Sequence, residues 1–231
     1  MPKATNTTKS EETRNRILES ALQLFRQRGF ENTTMRDIAQ EAGVALGAAY
    51  YYYDSKDALV MGFYERAQTD LALLLQSAQK ETKGLEPRLH AVINTKFEYF
   101  LDNRKLMGAL SAHIDPQHPL SPFSKQAQAI REFDIQFFSI ALEGSQVRIP
   151  EDLNHYLPRL LWLYQMGLML FWVYDPSPGQ SRTYLIFDKT LAIVVRLIKI
   201  SSLPLLRPIR KVLTDLLDVV YADQHAVARN A

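Results

Sequence analysis

The chain has 231 residues, 47% apolar and 23% charged, with 27 Lys and Arg against 25 Asp and Glu. This is a globular composition, long enough for one small and one larger domain with ample core, and its balanced charge gives no argument of its own for a nucleic-acid partner. The lack of cysteine excludes disulfides and thiolate metal sites, and the polar N-terminus predicts no secretory signal and hence a cytoplasmic protein.

In chain order, residues 1–10 carry Lys3 and Lys9 and no apolar residue past Ala4, and read as a disordered tail. Thr34 stands three residues before Asp37, a capping-box variant that opens a helix by satisfying free backbone N–H groups. Ile38, Ala39 and Ala42 then share one face at helical spacing. Gly43 ends that helix, because glycine tolerates the left-handed conformation a sharp stop needs. Val44 packs back, and a second helix runs from about Leu46 to Tyr52. Asp54 and Ser55 cap the next, with Asp57 three residues after Asp54. Two short helices joined by a tight turn, at about 34–53, form a helix-turn-helix, a shape that puts one helix into a DNA groove.

Leu59, Phe63, Ala67, Leu71, Leu74 and Ala78 make a long stripe, so the helix beginning near Lys56 runs to about Thr82, and Gly84 breaks it. Pro87 suits a first helical turn, and Leu89–Leu101 follows. Asn103–His113 reads as a shorter helix, Asp115–Pro122 as a proline-rich loop and Phe123–Leu142 as a helix. After a loop at 144–150, Glu151–Tyr174 is helical with a kink at Pro158. A turn at Asp175–Gln180 leads to helices at Arg182–Ser201 and Pro208–Tyr221, then a tail at 223–231. No segment alternates as a strand. The fold class is all-α: an N-terminal three-helix helix-turn-helix domain (11–57) followed by a larger helical domain (58–222).

The block from Thr33 to Leu59 resembles the TetR family of transcriptional regulators. Ile38, Ala39, Ala42, Gly43, Val44, Gly47, Tyr50, Tyr52, Ser55, Lys56, Asp57 and Leu59 stand in register with that family's signature, and Arg14, Ile17, Leu18, Ala21, Leu24, Phe25, Gly29 and Phe30 fit its upstream part. The resemblance covers about residues 11–70. It implies a DNA-binding repressor, not an enzyme, whose second short helix reads the operator. Lys56, at the N-terminal turn of its helix, is expected to clamp a phosphate. Tyr50, Tyr51 and Tyr52 offer hydroxyls to phosphates. Thr33 or Thr34 offers a hydroxyl or its helix's N–H groups, and Arg36 contacts base or phosphate. Tyr53 is assigned to the core.

The departures from the signature carry meaning. The family has Ser or Thr where this chain has Ala45, the cap of the reading helix, and an alanine cap costs about 1 kcal/mol. With Leu46, Gly47 and Ala48 beside it, this helix offers bases methyl groups rather than hydrogen bonds, so an operator with A·T pairs is expected, read partly by shape. Residues 1–60 hold eight basic and eight acidic side chains, so the motif, not charge, argues for DNA.

Leu160–Val173 is apolar almost all round, with Gln165 and Gly167 inside, and falls short of the roughly 20 residues of a bilayer span. Thr190–Ile200 is nearly as apolar. A helix apolar on every face needs cover on every face, and a partner subunit supplies it. A homodimer through about 160–174 and 182–201 would also set two reading helices about 34 Å apart on a palindrome. The family's C-terminal domain encloses an inducer site. For it we name Tyr99, Phe100, Met107, His113, Phe133, Phe137, Tyr164, Gln165 and Met169, which suit a small, largely apolar ligand with a few polar anchors. The ligand would act by preferring a conformer unsuited to DNA. His113, Asp115 and His118 lie close in sequence, but a proline-interrupted loop lacks helix-face ligand spacing, and no metal or cofactor is expected. The basic run Arg196, Lys199, Arg207, Arg210 and Lys211 reads as a solvated face. The competing reading is a TetR-like ligand- or lipid-binding protein that no longer binds DNA.

Overall fold

The computed structural model describes residues 4–111 and 113–228, with side chains placed for 9–111 and 113–219. Eleven α-helices are found among them: α1 (Ala4–Arg28), α2 (Met35–Glu41), α3 (Leu46–Tyr52), α4 (Lys56–Glu81), α5 (Leu85–Phe100), α6 (Arg104–Leu110), α7 (Gln128–Glu143), α8 (Glu151–Asn154), α9 (Leu157–Tyr174), α10 (Ser181–Ser201) and α11 (Arg207–Ala228). No strand occurs among the described residues. The chain forms two compact units. The first runs through Leu74 and takes in Thr95–Phe133; the second holds Leu75–Asn94 and everything from Asp134. This division differs from a boundary at 57/58, because α4 continues past it without a break.

In the first unit, Ile17, Leu18, Ala21, Leu22 and Phe25 of α1 are buried with Ile38, Ala39, Ala49, Leu59, Val60 and Phe63. Residues 4–10 are helical, where a free tail was expected. With no glycine or proline between Ala4 and Arg28, extending a helix already nucleated by the buried Ile17–Phe25 stretch costs little. Thr13 also donates its hydroxyl to the Lys9 carbonyl (2.9 Å). α7 begins at Gln128, five residues later than expected. The buried hydroxyls of Ser121 and Ser124 bond to Ile114 and Pro119 carbonyls, and Ser124 accepts from Ala127 N–H, so local side chains rather than a helix satisfy that backbone.

In the second unit, residues 155 and 156 separate α8 from α9, so the chain breaks where a kink at Pro158 was expected. Pro158 occupies the first turn of α9, the one place in a helix where its missing N–H is harmless. α11 continues to Ala228, through residues 223–228 that were read as tail. It is tied to α8 by Arg210, whose Nε donates to Asp152 (2.8 Å) and whose Nη1 donates to the Ser201 carbonyl (2.7 Å). Arg210 therefore leaves the basic run expected to be solvated. The Tyr156 hydroxyl also donates to Asp218.

The turn between α9 and α10 is built on Asp175. Its buried carboxylate accepts from the N–H groups of Ser177 and Thr183 (both 2.9 Å) and from the Thr183 hydroxyl (2.7 Å). Burial alone would push this carboxyl up, but those hydrogen bonds outweigh it and hold the carboxyl well below the ordinary carboxylate range. A depressed folded value makes the contribution fully present at neutral pH and lost as pH falls from about 4, the unfolded value, through the folded one. Asp175→Asn should therefore lower the melting temperature at pH 7 and flatten its decline between pH 4 and 2, as followed by circular dichroism. A parallel decline in both proteins would show that Asp175 does not carry the acid sensitivity.

Candidate functional site

The helix-turn-helix is α2, a turn at Gly43 and α3. Thr34 and Asp37 form a full capping box: Asp37 N–H donates to the Thr34 hydroxyl oxygen (3.2 Å), and Thr34 N–H donates to Asp37 Oδ2 (2.9 Å). The Thr34 hydroxyl also donates to that carboxylate (2.6 Å), which lowers the Asp37 pKa, helped by Arg28 and Arg36 nearby. Gly43 has φ +63°, the left-handed conformation that ends α2 and turns the chain. α3 spans Leu46–Tyr52, begins at Ala45 with no side-chain cap, and is followed by a Ser55 hydroxyl that accepts from Ala58 N–H (3.1 Å) to start α4.

α3 buries only Ala49, and Tyr53 is buried just beyond it. A Cβ placed on Gly62 would stand 2.8 Å from the Tyr53 ring, so this aromatic is locked into the core as expected. The opposite face is open. Tyr51 is 82% exposed and Tyr50 48%, and Ala45, Gly47 and Arg36 are exposed as well. Leu46, Ala48 and Tyr52 are half-buried. Gly47 and Tyr51, four apart, share the outward pole of the helix. A Cβ on Gly47 would meet nothing within 4 Å, and its backbone is ordinary helix, so the chain's own packing does not require glycine there.

Four of the expected phosphate ligands are engaged within the chain. Thr33 is fully buried and donates its hydroxyl to the Gly29 carbonyl (2.8 Å), which removes it from any surface. The Thr34 hydroxyl is held in the cap just described. Lys56 Nζ donates to the Phe30 carbonyl (2.7 Å) and lies 4.4 Å from the Phe30 ring centroid, tying α4 to the end of α1. Two of its three N–H donors remain. Tyr52 shares a hydrogen bond with Ser10 (3.2 Å) and sits edge-on to Tyr51.

The nine effector candidates divide between the units. In the first, Tyr99 donates its hydroxyl to Asp70 (2.7 Å); burial, then that bond, pushes its pKa up to about 12. Phe100 is buried edge-on to Phe63, and Met107 Sδ is 4.0 Å from the Tyr64 hydroxyl. His113 stacks on His118 (3.9 Å between centroids), and Phe133 is half-buried. In the second, Phe137, Gln165 and Met169 are buried, and the Tyr164 hydroxyl shares a hydrogen bond with Thr190 (2.6 Å), its pKa raised chiefly by burial. Asp70 and Thr190, the partners of the two tyrosines, lie 29 and 26 residues away and leave no local signal in sequence.

With this geometry in view, two family models match the chain: bacterial regulatory proteins of the tetR family over residues 17–61, and a tetracyclin repressor-like C-terminal domain over 88–219. The chain belongs to the TetR family of transcriptional regulators. Among its relatives, the HTH-type transcriptional regulator YerO of Bacillus subtilis is 29% identical over 139 residues, covering 59% of this chain and 44% of YerO. The chain spans less than half the length of the first curated relatives it matches. The fold is that of FadR from Bacillus subtilis, solved with stearoyl-CoA (TM-score 0.59, 14% identity, 79% of this chain and 96% of FadR). It is also that of SmeT, solved with triclosan (TM-score 0.58, 20% identity, 80% and 90%). No helix among the described residues is long and apolar enough to cross a membrane.

Proposed function

We propose that this TetR-family chain is a non-catalytic, homodimeric repressor that seats α3 of each copy on a palindromic operator and releases it when a small, largely apolar molecule binds its helical C-terminal part. The observation that carries this reading is the outward pole of α3. Glycine inside a helix costs up to about 1 kcal/mol relative to alanine, and at Gly47 nothing in the chain repays that cost. A residue without a side chain on an exposed face suits close approach by a duplex. Methyl groups of Ala45 and Ala48 and the Leu46 side chain then meet thymine methyls, while Tyr50, Tyr51, Tyr52, Arg36, the α2 N–H groups behind Thr34 and the remaining Lys56 donors serve the phosphates. The apolar effector is supported by the apolar parts of the ligands of the two structural neighbours, the stearoyl chain of stearoyl-CoA in FadR and triclosan in SmeT.

The second reading, a ligand-binding protein that has given up DNA, is favoured by the uncapped α3 and by the commitment of Lys56 to Phe30. Gly47→Ala separates the two. The added methyl meets open space, so the melting temperature should hold or rise slightly, while binding to the DNA upstream of the chain's own coding sequence should fall at least about tenfold in a gel shift, as expected where a close approach is blocked. Wild-type protein that fails to shift that DNA at low salt, or a variant that shifts it equally well, would end the reading that places α3 on the operator.

A further inference from the structure

Gln165 stands out in the second unit. It lies at the centre of the buried face of α9, is 2% exposed, and its Oε1 meets no hydrogen-bond donor. Its neighbours three and four residues away on the helix, Leu161, Trp162, Leu168 and Met169, are all apolar and all buried. A buried amide oxygen without a donor lowers stability, so such a group needs a reason. The other unpaired atoms of this unit's two buried long polar side chains, Gln79 Oε1 and Arg88 Nε, sit in a cluster whose remaining donors bond to carbonyls. Gln165 belongs to no such cluster.

We propose that Gln165 is the polar anchor for the effector, and that the effector is a neutral, compact apolar molecule bearing a hydroxyl group, an alcohol or a phenol. This deepens the ligand-responsive reading above and rests on it. A hydroxyl donates to an amide oxygen and accepts from an amide nitrogen, so it suits the amide in either orientation. Trp162, Met169 and Trp172 on the same face supply aromatic and sulfur contacts. Neutrality follows from the charges already present: the buried ionic groups described in this unit, Arg88 and Asp175, are taken up by backbone carbonyls and by N–H and hydroxyl groups respectively, leaving no counter-charge for an ionised ligand.

The test titrates the full chain with 1-naphthol and with 1-methoxynaphthalene, which keeps the ring system and loses the donor. Wild type should bind the naphthol at least about tenfold more tightly than the ether, the size of effect expected when a hydrogen bond to a buried polar group is lost. Gln165→Leu should bind the two alike, through loss of naphthol affinity. It should also melt at a higher temperature than wild type without ligand, because an unpaired amide has been replaced by an apolar group. Equal binding of both probes by wild type, no naphthol binding at all, or a lower melting temperature for Gln165→Leu would each overturn the assignment. A gel shift without ligand runs alongside. Wild type that discriminates the probes but ignores DNA defeats the repressor and leaves this anchor standing, and wild type that binds DNA without discriminating defeats the anchor alone.

Discussion

Arg88→Ala should lower the stability of the chain by about 3 kcal/mol, seen as a fall of roughly 6–12 °C in melting temperature. The Arg88 side chain is buried and, among the described residues, has no carboxylate in its hydrogen-bonding shell. Its Nη1 donates to the carbonyls of Gln79 (2.7 Å) and Thr82 (3.1 Å) at the end of α4, and its Nη2 to the Ile140 carbonyl (3.3 Å) in the last turn of α7. Both helix ends carry the negative pole of their backbone dipoles, so one guanidinium serves as counter-charge and C-cap for the two together. Alanine would take the side-chain donor from the Gln79 and Thr82 carbonyls and leave Ile140 with only the Gly144 N–H (3.0 Å). Gly144, one residue past α7, completes the arrangement. A Cβ there would stand 2.2 Å from Nη2 and 2.5 Å from Cζ of Arg88. The guanidinium cannot step aside without giving up its carbonyls, so Gly144→Ala should itself cost about 2 kcal/mol. In the double variant the clash is gone, and the two losses should add to at least about 1 kcal/mol less than their sum. Strict additivity in urea unfolding would mean that Arg88 is not what excludes a side chain at position 144.

Arg88 also marks where reading the sequence stops. The capping box at Thr34 and Asp37, the stop at Gly43 and the limits of α3 are written in neighbouring residues, and the structure reproduces Leu46–Tyr52 to the residue. Those features are local: a hydroxyl three residues from a carboxylate, a glycine at positive φ. The limits of α7 and the placement of Lys56 depend instead on partners the local pattern does not name. Ser121 and Ser124 draw the backbone into turns ahead of α7, and the Phe30 carbonyl takes the ammonium from 26 residues away. Thr33 shows the same limit among the expected DNA contacts. Its composition says hydroxyl donor, but only the packing of α1 against the following turn shows that the donor faces inward to Gly29. What sequence could supply for α3 was its outward face. What it could not supply was which flanking polar groups are engaged within the chain.

Ile193→Glu should convert the protein to a monomer at micromolar concentration and weaken operator binding by about a hundredfold or more, since each headpiece then binds without the effective concentration supplied by the other. On α9, Leu163, Leu170, Phe171 and Tyr174 are each 38–63% exposed, and on α10, Ile186, Ile193, Leu197 and Ile200 are each 37–57% exposed. Each set repeats at three, four or seven residues, so each is a stripe along one helix face rather than scatter. Gly167 lies within the α9 stripe. A Cβ there would meet nothing within 4 Å, so the chain's own packing does not explain a glycine in mid-helix, whereas a partner helix crossing at that point would. The cover proposed for these stripes is a second copy, brought up through a two-fold axis that pairs the same surface with itself. A glutamate at position 193 would then be buried in an apolar contact in each copy, and ion burial without a partner is what such an interface tolerates least. α11 provides the contrast. Its own apolar stripe, Ile209, Val212, Leu216 and Val219, is more open still, and Leu216→Glu should leave the dimer intact if α9 and α10 form the contact. Sedimentation of both variants decides it: a dimeric Ile193→Glu together with a monomeric Leu216→Glu would move the subunit interface from α9 and α10 to the last helix.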